Sequence, residues 1–345
     1  MSFTTSIGLS RGQMVVAIAG ATGNLGSSIC PIFLTTPFKV FFSRVVVITR
    51  NADTERAVYL ASLGAEVHRV PAGFQNGLSS KEALRTALRS VDVLINVLGH
   101  TAESERFAGE LVDAALDSDV AVYFPSEFGV DHHLNDFSTY DHGDWVYKRE
   151  YDDRCRNLVS QRRKNMKIIA LYVGLFMEQA ILSLVEQPIS VTPVGFDNKH
   201  KIYTSVGSPT QNFTLTSKED IGRALIAISI RAMSPSEDIP DHLRIAGDTV
   251  SFEDVRDTVK RHTGVDVDLR SEDLGHYRSQ LKERWERGDP QRPSAYIRAI
   301  MGESKLNFSE SNDNELINPD QRIWKWKTLD EYVRDHKDDI LKAER

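Results

Sequence analysis

The run MVVAIAG at residues 14–20 ends on a glycine and passes directly into ATGNLG, so Gly20, Gly23 and Gly26 punctuate the junction between an apolar strand and a helix. No other stretch constrains the fold as strongly. A β-branched run without alternating polar residues suits a strand buried on both faces. Glycines at its end allow a tight turn, and the N–H groups of the helix that follows can face an anion. The same apolar pattern returns in RVVVITR (44–50), AEVHRV (65–70), VDVLINVLG (91–99), VAVYFPS (120–126) and KIIALYVG (167–174). Helix-like segments lie between them at Asp53–Ser62, Ser79–Arg89 and Ala102–Asp117, and a further helix should carry Lys148. Alternating strands and helices predict a Rossmann-type, doubly wound parallel sheet of the α/β class, joined by right-handed crossovers.

After Gly174 the pattern changes. ISVTPVG (189–195), KIYTSVG (201–207) and HLRIAG (242–247) are shorter strand candidates. TSKEDIGRALIAI (216–228) begins like a capped helix, with Thr216 or Ser217 ahead of acids, and Thr328 and Glu331 have capping-box spacing. The polar stretch 303–322 reads as a loop. At 345 residues the chain exceeds one typical core. We therefore expect a dinucleotide-binding domain over residues 1–174 and a smaller C-terminal α+β substrate lobe over 175–345. The lobes are free to interleave, and the cleft between them is the expected site.

The glycine loop assigns Gly20, Ala21, Thr22, Gly23, Asn24, Leu25 and Gly26 to a dinucleotide pyrophosphate, and Gly99, closing the fourth run, to the same edge. The end of the second strand selects the dinucleotide. An NAD enzyme places Asp or Glu there to accept from the ribose 2′-hydroxyl. This chain has Arg50, 24 residues past Gly26. A guanidinium suits a 2′-phosphate, so NADPH or NADP is the expected cofactor, the alternative being a strand-end arginine that faces solvent.

HGDWVYKREYDDRC (142–155) contains a single lysine, Lys148. A lysine beside a nicotinamide can hold ribose hydroxyls and exchange the proton that balances hydride transfer. Asp144 and Asp152, at i−4 and i+4, equally suit a solvated ion-pair face, and spacing alone leaves both readings open. In DHHLNDFSTYDHGDW (131–145) the adjacent His132 and His133 lack ligand spacing, so no metal site is expected. A polar loop over the active-site mouth is expected instead, with His132, His133 or Tyr140 touching substrate. Phe176 and Met177 are candidate apolar walls, or plain core.

Charge excludes some partners. Lys plus Arg number 42 against 49 Asp plus Glu, a net charge of −7, which argues against nonspecific nucleic-acid binding. The basic run RCRNLVSQRRKNMK (154–167) lacks interleaved aromatics and reads as a solvated helix face. Cys30 and Cys155 show no metal spacing and suit a reducing compartment. MSFTTSIGLSRGQ has no apolar signal core, and no run approaches the roughly 20 apolar residues that span a bilayer. A cytoplasmic protein is expected, with the sequons at Asn212 and Asn307 unused.

Together, GATGNLG, VITR, VDVLINVLG, YFPSEFGVD, WVYK and NPDQRIWKWKTLDEYV closely resemble the isoflavone-reductase-like, NmrA-like branch of atypical short-chain dehydrogenases. That branch includes phenylcoumaran benzylic ether reductase and pinoresinol–lariciresinol reductase. The resemblance covers nearly the whole chain, and PSEFG (125–129) is its most specific element. It implies NADPH dependence, a role in secondary metabolism and a catalytic lysine shortly after PSEFG, which falls on Lys148. The residue four before Lys148 is Asp144, so the tyrosine acid of ordinary short-chain dehydrogenases is absent. The chain departs from the family at VPAGFQNG, where an acidic GD is frequent, and at Tyr59 and Asp152, where basic residues are frequent. It also has Gly174 where plant members often carry a polar residue.

The implied function is an NADPH-dependent reductase. It would deliver hydride to a benzylic, quinone-methide-like or conjugated carbon of a small aromatic or polyketide-like molecule, with Lys148 as proton donor or relay. A dinucleotide-sensing regulator without catalysis, and an isomerase or dehydratase on the same fold, are the alternatives. A homodimer is left open.

Overall fold

The computed structural model describes residues 14–71, 80–181, 194–197 and 199–342. The N-terminal stretch, most of VPAGFQNG, Ser79 and the first five residues of ISVTPVG lie outside the described residues.

The apolar runs form β1 (Met14–Ala19), β2 (Phe42–Thr49), β3 (Glu66–Arg69), β4 (Val93–Asn96), β5 (Val122–Phe124) and β6 (Lys167–Ile168). They assemble into one six-stranded sheet in the order β3-β2-β1-β4-β5-β6, with every pairing parallel. All six residues of β1 are buried, as its lack of polar alternation requires. The helices α1 (Gly26–Leu34), α2 (Glu55–Ser62), α3 (Ser80–Ala87), α4 (Ala102–Asp117) and α5 (Gly143–Gln161) connect the strands. Local chemistry sets their starts. The Thr54 side chain accepts from the Ala57 amide at α2, and Thr101 and Ser104 form a reciprocal capping box at α4. The strand order reverses between β1 and β4, which opens a crevice at their carboxyl ends.

The second half contributes β7 (Ala170–Tyr172), β8 (Leu175–Phe176), α6 (Met177–Ile181), β9 (Phe196–Asp197), β10 (Ile202–Val206), β11 (Phe213–Thr216) and α7 (Lys218–Ala232). It continues with β12 (His242–Arg244), β13 (Asp248–Val250), α8 (Phe252–Thr263), β14 (Asp268–Glu272), α9 (Leu274–Glu286), α10 (Pro293–Gly302), α11 (Asn314–Ile317) and α12 (Leu329–Asp335). Two small sheets, β14-β10-β9 and β13-β11-β8, lie in this half.

Two sequence expectations change here. The sixth run, expected as one strand to Gly174, divides into β6 and β7. The Ile169 amide still donates to Tyr123 on the β5 side, whereas the Ala170 amide donates 2.8 Å to Asp241 on the other. Accordingly, β7 pairs in parallel with β12 from the second half. The stretch 303–322, expected as a loop, contains α11 and buries Leu306, Phe308 and Ile317. Its backbone is tied to β11, with Thr214 N donating 2.8 Å to the Leu306 carbonyl. The second half also packs into the first, an interleaving that the expected division at residue 174 allows. Ile221, Leu225 and Ile228 of α7, together with Trp324 and Trp326, pack in the same apolar cluster as β1 and α1. Contact between α1 and α7 is close: a Cβ on Gly222 would lie 2.5 Å from Ile32 Cδ1 and 3.3 Å from Ile29 Cα.

Cys30 and Cys155 are both free and buried. Among the described residues no helix is long and apolar enough to cross a membrane, and no group of three metal-ligating side chains gathers.

Candidate active site

The glycine loop closes on itself. Gly20 has φ +88°, and the Gly23 amide donates 2.9 Å back to the Gly20 carbonyl. A Cβ on Gly26 would stand 2.2 Å from that same carbonyl oxygen, so only glycine fits. The Ala21 and Leu25 side chains point into the core, so these two residues offer backbone rather than side chain. The loop borders an open cleft of about 1080 Å³ that also takes in Arg50, Gly99, Glu103 and Ser104. This cleft is the crevice at the strand-order reversal.

Arg50 stands at the rim with its side chain 71% exposed, and it pairs at 2.7 Å with Glu103 in the first turn of α4. Arg56 reaches the loop from α2 and donates 3.0 Å to the Thr22 carbonyl. Tyr59, where a second basic residue is frequent in the family, is exposed.

A smaller, partly open pocket shares Leu98, Gly99 and Ser104 with the cleft and is further lined by Asn96, Glu127 and Lys148. Lys148 lies on the inward face of α5 with Trp145, Tyr151, Asp152 and Cys155, at three- and four-residue spacing. It is only 8% exposed. The solvated ion-pair face is therefore not what forms: Asp152 binds Arg156 at 2.8 Å, and Asp144 lies beside His142. The partner of Lys148 is Glu127, 3.6 Å from Nζ and itself 2% exposed.

Glu127 lies between two basic groups, with His132 Nδ1 at 3.2 Å from the same carboxylate oxygen. Burial alone would raise this carboxyl, but Lys148 and His132 outweigh it and hold Glu127 below the usual range, ionised at neutral pH. Neither ring nitrogen of His132 makes a well-formed hydrogen bond among the described residues.

The cavity floor is a sealed polar network. Asn96 Nδ2 donates 3.1 Å to the Tyr123 hydroxyl, which lies 2.8 Å from the Tyr151 hydroxyl, and Tyr151 donates 2.8 Å to the Ala108 carbonyl. Burial pushes both phenols far above their ordinary value. These tyrosines stay neutral and are committed to each other.

The remaining candidates separate. His133 is partly exposed and pairs with Asp131 at 3.1 Å. The Tyr140 hydroxyl accepts from Nε and Nη2 of Arg278 at 3.1 and 2.8 Å, away from Lys148. Met177 is wholly enclosed in the second core, so it can line nothing. Phe176 is half-buried, with Lys218 Nζ 5.7 Å above its ring. Sequence reasoning missed Asn96, Ser104 and Lys218, and it quoted Glu127 only inside a motif. The signal for Glu127 was a carboxylate just past an apolar strand end, and Lys218 carried none because its partner is nearly two hundred residues away.

Comparison with known proteins places the fold and the family. The chain is 27% identical over 192 residues to an NmrA-like family domain-containing oxidoreductase of Gibberella moniliformis, which covers 54% of this chain and 55% of that one. The match thus spans about half the length of that relative. The fold superposes on AtPrR2, solved with NADP+ and (+)pinoresinol, with a TM-score of 0.67 at 16% identity, covering 94% of this chain and 98% of that one. It superposes on leucoanthocyanidin reductase from Vitis vinifera with a TM-score of 0.65 at 15% identity, covering 94% and 99%. Because the model of the NmrA-like family matches residues 12–280, this chain belongs to the NmrA-like family.

Proposed function

We propose that this protein is an NADPH-dependent reductase acting on a small aromatic molecule, with Lys148 as its proton donor or relay. The observation that carries the reading is the buried Lys148–Glu127 pair in a cavity that shares a wall with the glycine-loop cleft. The residues present fit a dinucleotide. Gly20 and Gly26 leave no room for a Cβ in the turn, and Arg50 stands at the cleft rim as a cation for a 2′-phosphate. In this reading Gly20, Ala21, Thr22, Gly23, Asn24, Leu25, Gly26 and Gly99 would hold the dinucleotide together with Arg50. Bound NADPH supplies a hydride.

The protein's own residues supply the rest. Lys148 presents an ammonium to this pocket, where it donates a proton to the substrate atom that gains negative charge. Glu127, ionised with His132 3.2 Å from its carboxylate, holds that ammonium in one place. The committed hydroxyls of Tyr123 and Tyr151 keep water out of the floor. The related structures carrying NADP+ with (+)pinoresinol, or named for leucoanthocyanidin reductase, support an aromatic substrate, and the family resemblance implies that its reacting carbon is benzylic or conjugated.

Fluorescence titration with NADPH, NADP+, NADH and NAD+ tests the cofactor. We expect NADPH to bind well above NADH and Arg50→Ala to abolish that preference. Indifference to the 2′-phosphate, or a preference for oxidised forms, would favour a sensor over a reductase. For chemistry, Lys148→Met should lower turnover of an accepted aromatic substrate by about 10²-fold or more while NADPH still binds. Unchanged turnover would remove Lys148 from the mechanism.

A further inference from the structure

Lys218 is the first residue of α7, and α7 is packed on the helix that the glycine loop begins. Its ammonium is buried, 8% exposed, and donates 2.6 Å to the side-chain oxygen of Asn24 in that loop. Asn24 is neutral, so this contact satisfies a hydrogen bond without itself neutralising the charge.

The surroundings add positive charge. Arg56, which holds the Thr22 carbonyl two residues earlier in the loop, acts on Lys218 as a like charge. Glu178 is the carboxyl that opposes it. Its Oε1 accepts from the Lys218 backbone amide at 2.9 Å, and its Oε2 has no hydrogen-bond partner among the described residues. Burial raises Glu178 from its ordinary value, and its charge opposes that of Arg56 at Lys218. Burial and Arg56 together lower Lys218 from its ordinary value. Two cations from different parts of the chain thus meet on the same three loop residues, Thr22 to Asn24. An enclosed cation is costly unless an anion accompanies it.

We infer that Lys218 is a cofactor-binding residue whose ammonium neutralises the pyrophosphate of the dinucleotide held by the glycine loop. It complements Arg50, which reads the 2′-phosphate at the other end of the cleft. This assignment rests on the dinucleotide reading above. It also gives the returning helix α7 a chemical role: the second half of the chain completes the cofactor site as well as the core.

The test compares wild type with Lys218→Gln, Lys218→Met and Lys218→Arg, measuring dissociation constants for NADPH, NADH and adenosine 2′-monophosphate, with melting temperature alongside. Glutamine keeps an amide against Asn24 and removes only the charge. We expect Lys218→Gln and Lys218→Met to weaken NADPH and NADH by a similar factor, about tenfold, as for a lost charge-assisted contact. Adenosine 2′-monophosphate, which has no pyrophosphate, should bind as before, and Lys218→Arg should retain most of the affinity. Wild-type dinucleotide affinity in Lys218→Gln would overturn the inference. Equal loss of adenosine 2′-monophosphate binding with a lowered melting temperature would also overturn it, in favour of a purely structural lysine. Failure of the wild type to bind any dinucleotide would instead refute the cofactor reading on which this one stands.

Discussion

At the scale of single residues, charge pairs decide what the cleft can hold. Arg50 and Glu103 meet across its rim, both exposed, so a 2′-phosphate must displace a carboxylate before it reaches the guanidinium. Exposed pairs of this kind are worth about 0–1 kcal/mol. Glu103→Gln should therefore tighten NADPH by about threefold and leave NADH unchanged, as read by paired titrations; a parallel change in both would show that Glu103 acts on the loop and not on Arg50. Asp131 makes a second prediction. Burial would raise it, but His133 and Arg244 hold it at about 2, against an ordinary 3.8. A depressed carboxyl stabilises the fold above its unfolded value, and that stability is lost as pH falls from about 4 towards about 2. The shift corresponds to about 2 kcal/mol. Asp131→Asn should lower urea stability at pH 7 by at least that much and flatten the acid limb between pH 4 and 2. His133 is raised by the same Asp131 partner, so its share is present below the ordinary histidine range and fades as pH rises through its folded value. His133→Gln should flatten the neutral-to-alkaline side instead.

At the scale of elements, the sequence was most legible where one short-range rule decides. Buried parallel strands announce themselves as unbroken apolar runs, and the glycine loop by positions that no Cβ can occupy. Arg50 at the second strand's end and Lys148 on the fifth helix were legible for the same reason, each lying a fixed distance from a recognisable element. The direction in which Lys148 faces was not legible, because Asp144 and Asp152 offered it a solvated face that Arg156 and His142 in fact take up. Glu127 and His132 form its real surroundings, and that choice depends on tertiary packing. The split of the sixth run was hidden too, since pairing with β12 is decided some seventy residues downstream. Helix packing on the loop gives the prediction at this scale. Gly222 lets α7 approach α1, and a side chain there meets Ile32 Cδ1 and the Ile29 backbone. Ile32 can move but Ile29 Cα cannot. Gly222→Val should lower stability by about 1–3 kcal/mol through overpacking and weaken dinucleotide binding with it, whereas Gly222→Ala should cost less on both counts.

At the scale of the whole molecule, the chain leaves the main sheet after β6, and the β7–β12 pair, α7 and the Trp324–Trp326 segment pack back into the core over β1 and α1. The core over α1 and β1 takes Ile221, Leu225, Ile228, Leu243 and Ile245 from the second half, all at most 1% exposed. Removing them would uncover five large apolar side chains' worth of surface, each worth about 1.5–3 kcal/mol when fully buried. That sum rivals the roughly 5–15 kcal/mol by which a domain is stable at all. The first half should therefore not fold alone: a fragment ending at residue 174 should show no cooperative thermal transition, and the full chain should melt in one. If the fragment melted cooperatively, α7 would be an ornament on a finished core, and the link between Lys218 and the glycine loop would lose its mechanical basis. If instead the fragment stays unfolded, adding dinucleotide should not rescue it, because the cation that meets the loop from α7 is missing with the core that carries it. The same exchange of segments predicts that dinucleotide raises the melting temperature of the full chain as a single transition, since the site and the shared core are built from both halves.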